Sequence, residues 1–358
     1  MAGVYVHIPF CKSRCRYCDF FSTTQLERRE EYVAAVLKEA EARQKEMADV
    51  HTVYLGGGTP SLLTCSQIES LLKAVHADKA EEVTMEANPG DISQEGLQAL
   101  RKAGVNRVSI GVQSLQDRLL TLTGRRHTAD EARRAVEAAR KAGFDNISAD
   151  LIYGLPTQSM EEWEKDINEV AGMGVQHLSC YCLSYEEGTP LQRMLERGEV
   201  AETDEETENA MYDLLCDTAE AKGYEHYEVS NFAKHRFRSK HNSSYWTRTA
   251  YTGLGAGAHS YDGERTRRAN VCDLNKYMAA PAETYTTERL TDTDLYNEHV
   301  MLALRTCEGV RTDELRPESR KAAESYVSRG LLRQKGGHIA ATRDGLHILN
   351  MIIEDLMI

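Results

Sequence analysis

A loop with three closely spaced cysteines is the most informative segment of this sequence. Residues 7–20 read HIPFCKSRCRYCDF, which places Cys11, Cys15 and Cys18 directly after a short apolar run at residues 4–8. Three thiolates on one loop can ligate three irons of a four-iron cluster, and the fourth iron then has no protein ligand. An open position on a metal is where a cofactor or substrate can bind directly. The loop therefore predicts a [4Fe–4S] cluster held by these three cysteines.

The cysteine spacing by itself leaves two alternatives open. One is a zinc site that His7, Cys65 or a more distant residue completes, and the other is a redox-active pair of cysteines. Arg14 and Arg16 lie between the cysteines, where their positive charge favours thiolates.

The composition predicts an ordinary globular protein. The chain has 358 residues, of which 41% are hydrophobic and 28% are charged, so it can form two domains, or one large domain and an appendage. A net charge of −13 opposes broad electrostatic binding to nucleic acid or to anionic membranes. The nine cysteines are unevenly spaced, which argues against a disulfide framework.

The N-terminal residues do not resemble a targeting signal. Residues 1–10 lack a basic segment followed by an apolar one, as a signal peptide would have. No apolar run approaches the roughly 18 residues that span a bilayer. We therefore expect a cytoplasmic protein without stable membrane insertion.

Strand-like runs alternate with amphipathic helical stretches over the first half of the chain. The expected strands are residues 4–8, 52–55, 83–87, 107–110, 147–152 and 177–183, and the expected helices are residues 30–47, 66–77, 94–103, 129–142 and 160–172. Ser93 and Ser159 can cap helix starts, and glycines follow helix ends. Six βα units in a row predict a parallel sheet covered by helices. An open doubly wound sheet and a partial barrel both fit, and each binds ligands at the carboxyl ends of its strands.

The pattern changes after about residue 190. We expect residues 202–221 to form an acidic, solvated helix, and residues 294–305, 318–329 and 344–356 to form helices around a hairpin at 331–341. Helices plus a hairpin resemble a winged helix. The expected division is a barrel at residues 1–225, a barrel-associated segment at 226–288 and a C-terminal domain at 289–358.

The cysteine loop and its flanks resemble the radical S-adenosylmethionine (SAM) superfamily. Residues 5–11, YVHIPFC, are similar to the subgroup that contains oxygen-independent coproporphyrinogen III oxidase and the HemW heme chaperones. The resemblance implies a partial (β/α)6 barrel of the α/β class, here with a small winged-helix-like α+β domain. It also implies that the open iron binds SAM, whose reductive cleavage gives a 5′-deoxyadenosyl radical.

The resemblance also implies a SAM site at the ends of successive strands. Gly57, Gly58 and Thr59, within LGGGTP at residues 55–60, match the loop that holds the methionyl part of SAM. The other matching positions are Tyr5, Tyr17 and its backbone, Glu86, Gln113, Arg125 for the SAM carboxylate and Asp150 for the ribose. Taken alone, the glycine loop is better interpreted as a plain glycine-rich turn, and each single polar residue is more often a structural hydrogen-bond partner.

Two features favour the HemW family over the oxidase. The oxidase has a fourth cysteine two positions after the third, whereas this chain has Phe20. The oxidase also has an N-terminal extension, whereas this chain starts ten residues before Cys11.

A histidine motif in the second half points to heme. HNSSYW at residues 241–246 resembles the heme-associated motif of the HemW family, and a neutral imidazole such as His241 is a good axial ligand. The basic residues of 234–240 could pair with propionates, and the glycine-rich residues 251–260, with His259, could form a wall near the site. A structural His241 and a solvated basic loop remain the alternative.

These observations predict a heme chaperone that carries a [4Fe–4S] cluster, SAM and heme. The expected partners are heme, acceptor hemoproteins such as respiratory enzymes and an electron donor, without nucleic acid, and a homodimer is compatible. Whether the chain is an enzyme stays open, and no catalytic residue is predicted. The alternatives are the oxidase, a tRNA-modifying radical SAM enzyme and a structural zinc module.

Overall fold

A large open sheet dominates the computed structural model, which describes residues 2–358. Its centre is six parallel strands that pair in chain order. They are β1 Ala2–Ile8, β2 Val50–Gly57, β3 Glu82–Ala87, β4 Arg107–Gln113, β5 Ile147–Tyr153 and β6 His177–Cys182. The prediction of a partial (β/α)6 barrel is confirmed, because the strand order is sequential instead of doubly wound and the two edges of the sheet do not pair.

Helices connect these strands and begin where the sequence offers a cap. They are α1 Arg29–Ala42, α2 Cys65–Ala74, α3 Gln94–Lys102, α4 Asp117–Leu122, α5 Ala129–Lys141 and α6 Met160–Gly172. Ser93 accepts a hydrogen bond from the Gly96 amide, and Ser159 forms a capping box with Glu162, as predicted. Helix α1 ends at Ala42, earlier than expected, because a 3₁₀ turn follows at Gln44–Met47.

The two faces of the parallel strands differ in chemistry. Val4, Val6 and Ile8 of β1 are fully buried in the main hydrophobic core, whereas the alternate residues Tyr5 and His7 hydrogen bond to each other on the opposite face. Side chains of a strand alternate between faces, so the inner face of the partial barrel carries polar groups that bond across strands. This face leads to the carboxyl ends of the strands, where the cysteine loop begins.

Additional strands extend the sheet at both edges. They are β7 Glu225–Glu228, β8 Asn231–Ala233, β9 Tyr251–Leu254, β10 His259–Tyr261, β11 Thr266–Asn270 and β12 Tyr285–Arg289, and the helices are α7 Pro190–Glu196, α8 Glu205–Ala221, α9 Lys240–Trp246 and α10 Leu274–Ala279. The expectation that the acidic helix is only a solvated face is wrong. Helix α8 buries Met211, Leu215 and Ala219 and packs on α6, and three of its acids lie in the first turn.

The C-terminal residues form a separate small unit. Its helices are α11 Asp292–Leu304, α12 Pro317–Ser328, α13 Arg343–His347 and α14 Leu349–Leu356, and its strands are β13 Val310–Arg311, β14 Leu332–Lys335 and β15 His338–Ala341. Val300, Ile339 and Ile352 belong to a hydrophobic core of its own. The single last helix that we expected is divided at Ile348. Both boundaries of the expected division are wrong, because each falls inside a strand of the large sheet: 225/226 inside β7 and 288/289 inside β12.

Candidate cluster and cofactor site

A cavity of about 570 Å³ opens at the carboxyl ends of the parallel strands. Its wall brings together most of the residues that the sequence singled out. These are Cys11, Cys15, Tyr17, Cys18, Gly57, Gly58, Thr59, Glu86, Gln113, Arg125 and Asp150. Two predicted residues, Tyr5 and His241, are not among its lining.

Backbone hydrogen bonds fix the cysteine loop against three other segments. The Cys11 amide donates to the Thr23 carbonyl (2.9 Å), and the Arg16 amide donates to the Thr123 carbonyl (2.9 Å). The Leu191 amide donates to the Arg16 carbonyl (2.8 Å). These backbone contacts hold the cysteine loop against the rest of the barrel.

The three cysteines are free thiols, and two of them receive hydrogen bonds. Thr59 Oγ1 donates to Cys11 Sγ (3.6 Å), and Arg125 Nη1 donates to Cys15 Sγ (3.5 Å). Burial raises the pKa of Cys11, and it raises the pKa of Cys18 to about 11. Thiolates here need nearby positive charge, which bound iron would supply. The donor set therefore fits an iron–sulfur cluster.

The structure argues against a zinc site completed by His7. His7 Nε2 donates to the Phe21 carbonyl (2.8 Å), and Nδ1 accepts from the Tyr5 hydroxyl (3.0 Å), so both ring nitrogens are engaged. Among residues 2–358, no three His, Cys, Asp or Glu side chains lie close enough to hold a single metal ion.

The glycines after β2 are required by the close approach of β1 and the cysteine loop. Gly57 has a φ of +111°, and a Cβ there would lie 2.5 Å from the His7 ring. A Cβ on Gly58 would lie 2.8 Å from the Phe10 carbonyl oxygen, and the Gly58 amide donates to the Ile8 carbonyl (2.8 Å). The glycine-rich segment therefore fixes Thr59 beside Cys11.

Two buried carboxyl groups line the floor of the cavity. Glu86 accepts from the Tyr54 hydroxyl (2.8 Å) and from the Gly57 amide (3.1 Å), and burial raises its pKa to about 7. Asp150 accepts from Ser109 Oγ (3.0 Å), and burial raises its pKa as well. Both can accept hydrogen bonds from hydroxyl or ammonium groups of a ligand.

Arg125 connects the cysteine loop to the end of β4. Besides its bond to Cys15, it donates through Nη2 to the Gly111 carbonyl (2.7 Å). Its Nε is buried without a hydrogen-bond partner among residues 2–358. Gln113 lies beside it in a left-handed conformation, with a φ of +64°. Such backbone strain is typical of functional sites.

His241 lies inside the barrel instead of at the cavity wall. The side chain is fully buried, with Nδ1 hydrogen-bonded to Thr52 Oγ1 (2.9 Å) and Nε2 to the Tyr245 hydroxyl (2.8 Å). Burial lowers the pKa of His241 to about 3, which keeps the imidazole neutral. Iron can reach a ring nitrogen only if one of these hydrogen bonds breaks. Its neighbour Asn242 does line the cavity.

The basic segment near His241 is largely paired. Arg238 forms ion pairs with Glu225 (2.6 Å) and Glu308 (2.6 Å), and Lys240 pairs with Glu81. Propionate binding by these side chains would compete with acids that are already in place.

Sequence reasoning missed Asp91, which lies behind the cysteine loop. Its side chain is 1% exposed and forms ion pairs with Lys12 (2.6 Å) and Arg126 (2.7 Å). Lys12 follows Cys11 in the chain, and Arg126 follows Arg125. Asp91 thus joins two segments that carry sulfur contacts, and no motif marks it in the sequence.

Known protein families match both the barrel and the C-terminal unit of this chain. Residues 5–170 match the radical SAM superfamily, and residues 290–348 match the HemN C-terminal domain. The heme chaperone HemW of Bacillus subtilis (strain 168) is 37% identical over 322 residues, which are 87% of this chain and 85% of that protein. The heme chaperone HemW of Lactococcus lactis subsp. lactis (strain IL1403) is 35% identical over 371 residues, 99% of this chain and 97% of that protein.

A solved structure supports the fold. Coproporphyrinogen III oxidase (HemN) from Escherichia coli, a radical SAM enzyme, superposes with a TM-score of 0.84 at 22% identity, covering 99% of this chain and 90% of that one.

The partial barrel, the three-cysteine loop and the match over residues 5–170 define a radical SAM protein. Membership of that superfamily implies a [4Fe–4S] cluster and SAM. Within it, the chain belongs to the HemW family, since relatives of that name are 35–37% identical over most of both chains. No helix described in residues 2–358 combines the length and apolar character needed to cross a membrane.

Proposed function

We propose that this protein binds heme and transfers it to acceptor hemoproteins, with a [4Fe–4S] cluster and SAM bound in the cavity described above. The observation that carries the proposal is the likeness to proteins named heme chaperone HemW over 87% and 99% of this chain. Phe20, at the position of the oxidase's fourth cysteine, supports the same conclusion.

Cys11, Cys15 and Cys18 would hold the cluster through three of its irons. Thr59 and Arg125 donate hydrogen bonds to two of these sulfurs, which stabilises their thiolate forms. The cluster supplies an iron with an open position and a single electron for SAM when both are bound.

The remaining predicted residues would bind and orient SAM. Arg125 has a guanidinium donor for its carboxylate, and Glu86 and Asp150 have acceptor oxygens for its ammonium and ribose hydroxyl groups. Gly57 and Gly58 present backbone without side-chain obstruction. Gln113, Thr59 and the backbone near Tyr17 complete the wall. Tyr5 does not line the cavity, and it would contribute indirectly, through its hydrogen bond to His7.

The heme role of His241 is part of the proposal. A neutral imidazole suits ferric or ferrous heme, and Asn242 places the motif at the edge of the cavity. Ligation requires that Tyr245 release Nε2, so heme binding would be coupled to a rearrangement of α9.

We further propose a cytoplasmic location, an electron donor for the cluster, a homodimer, and a C-terminal domain that follows strand β12. The separate hydrophobic core around Val300 and Ile352 supports treating the last part as its own unit.

A transfer assay tests the function. Cluster-loaded protein is given one equivalent of heme and mixed with an apo-hemoprotein, with and without SAM. We expect the acceptor's absorption spectrum to form faster than from free heme under the same conditions. Transfer that is no faster than from free heme would contradict the chaperone function.

An anaerobic assay with coproporphyrinogen III separates the proposal from oxidase activity. We expect no protoporphyrinogen to form under conditions in which a coproporphyrinogen oxidase is active. Turnover of this substrate would contradict the chaperone function and would instead show that the protein catalyses the oxidative decarboxylation of propionates.

A further inference from the structure

Two exposed aromatic side chains lie on the wall of the cluster cavity. Phe20 is 63% exposed and Tyr181 is 43% exposed, and both line the cavity. The other large exposed hydrophobic side chains of residues 2–358, Tyr285, Met351 and Ile358, do not. Isolated exposed hydrophobic residues are normal, but two that line one cavity indicate an apolar binding region there.

The two rings come from different elements. Phe20 lies on the cysteine loop, two residues after Cys18, and Tyr181 lies near the end of β6. Ile152 and Leu183 also line the cavity with apolar side chains. An occupant of this part of the cavity is therefore largely apolar and in contact with aromatic rings, and it lies close to the proposed cluster.

The charges on the loop side of the cavity favour an anionic occupant. Arg14 lines the cavity, is exposed, and has no hydrogen bond or ion pair with any residue from 2 to 358. Lys12 and Arg126 share the single carboxylate of Asp91. A carboxylate can therefore pair with Arg14 without displacing an existing partner.

We propose that Phe20 and Tyr181 form the contact face for the tetrapyrrole ring of heme, with Arg14 pairing a propionate. This inference rests on the proposed function and deepens it by assigning the ring and one carboxylate to the cavity wall, whichever residue ligates the iron. A flat, apolar ring that carries carboxylates matches both the exposed aromatic surface and the unpaired guanidinium.

Heme titration of the cluster-loaded protein, followed by its absorption, tests this assignment. Phe20→Ala and Tyr181→Ala should each weaken heme binding roughly five- to tenfold, the loss typical of an aromatic contact. Phe20→Tyr and Tyr181→Phe should restore it, because they keep the ring. Tyr285→Ala is the matched control, since Tyr285 is 44% exposed but lies on β12, away from the cavity lining.

Arg14→Gln tests the propionate pair with two probes, hemin and hemin dimethyl ester. The wild-type protein should prefer hemin several-fold, and the variant should bind both alike. Iron content is measured first for every variant. If Phe20→Ala loses the cluster, Tyr181→Ala carries the test, because Tyr181 lies outside the cysteine loop.

The outcomes separate this inference from the function on which it rests. Wild-type protein that binds no heme overturns both. Wild-type protein that binds heme, with Phe20→Ala and Tyr181→Ala matching it, overturns only the assigned face. Weakening in both variants with recovery in the aromatic replacements supports it.

Discussion

Glu86 is a proposed SAM contact whose charge state depends on its surroundings. It lies on β3, lines the cavity, and bonds to Tyr54 and Gly57. Burial raises its pKa to about 7, so its charge changes near neutral pH. Below that pH the protonated form predominates, and above it the carboxylate does. A cationic ligand group beside it therefore binds better as the pH rises.

SAM affinity should follow the ionisation of Glu86. Between pH 6 and 8 the ionised fraction of a group with a pKa of about 7 rises about tenfold, so SAM should bind roughly tenfold more tightly at pH 8. Calorimetric titration of cluster-loaded Glu86→Gln should show weaker binding with little change over this range. Glu186→Gln, an exposed carboxyl group on the same wall, should keep the wild-type profile. The same pH dependence in Glu86→Gln would exclude the assignment.

His241 combines a structural contribution with its proposed heme role. His241→Ala removes a fully buried ring and two side-chain hydrogen bonds, which should lower the free energy of unfolding by about 2–4 kcal/mol in the heme-free protein. Chemical denaturation measures that loss.

A second variant isolates the ligand role. Tyr245→Phe removes only the hydroxyl that occupies Nε2, so heme should bind more tightly if this nitrogen ligates iron. An unchanged heme spectrum and affinity in both His241→Ala and Tyr245→Phe would leave His241 with a structural role alone.

At the scale of elements, the cysteine loop depends on neighbours far away in sequence. Asp91, from the loop after β3, holds Lys12 at 2.6 Å and Arg126 at 2.7 Å. Its carboxylate is nearly inaccessible, so these ion pairs are less screened than exposed ones. They fix the relative positions of the cysteine loop and the segment that carries Arg125.

Asp91→Asn should shorten the lifetime of the cluster. The amide keeps the size of the side chain but removes its charge, so the loop opens more readily and iron release to a chelator should be several-fold faster. The control Asp313→Asn breaks an exposed ion pair with Arg311 on the C-terminal unit and should leave release unchanged. Equal rates in all three proteins would refute a positioning role for Asp91.

Much of the barrel could be predicted because local signals agree with the fold. The strand-like runs, the caps at Ser93 and Ser159 and the glycines at helix ends all lie where the structure has them. The burial of helix α8 could not be predicted from its acidic composition, because the acids of its first turn draw attention away from the apolar face around Leu215. The division of the last helix at Ile348 could not be predicted, because no helix-breaking residue lies at that position.

The site was only partly readable from sequence, for a physical reason. Cys11, Cys15 and Cys18 are neighbours in the chain, so their spacing reveals them. The Asp91 ion pairs join residues that are far apart in sequence, and no local pattern encodes such contacts. His241 lies in a recognisable motif, but its burial depends on how α9 packs inside the barrel.

At the scale of the whole molecule, the C-terminal unit contacts the barrel through polar groups. His347 bonds to Asn209 (2.9 Å) and Asp213 (3.2 Å), and Arg343 pairs with Asp217, all three partners lying on α8. Arg343 and Asp217 are partly exposed, so their ion pair contributes about 0.2–1 kcal/mol.

A double variant, Arg343→Ala with His347→Ala, should loosen this contact while the site stays intact. We expect a small decrease in thermal stability, with iron content and SAM affinity as in wild type. Calorimetry and iron analysis check both points. Loss of the cluster in this variant would show that the C-terminal unit supports the cysteine loop from a distance.

The account depends above all on three sulfur ligands and one open iron. The most direct measurement is iron and sulfide analysis of anaerobically reconstituted protein, with spectra recorded before and after SAM is added. We expect about four irons per chain, a spectral change on adding SAM, and failure of Cys18→Ala to assemble the cluster. Zinc in the wild-type protein, or four irons in Cys18→Ala, would contradict the account.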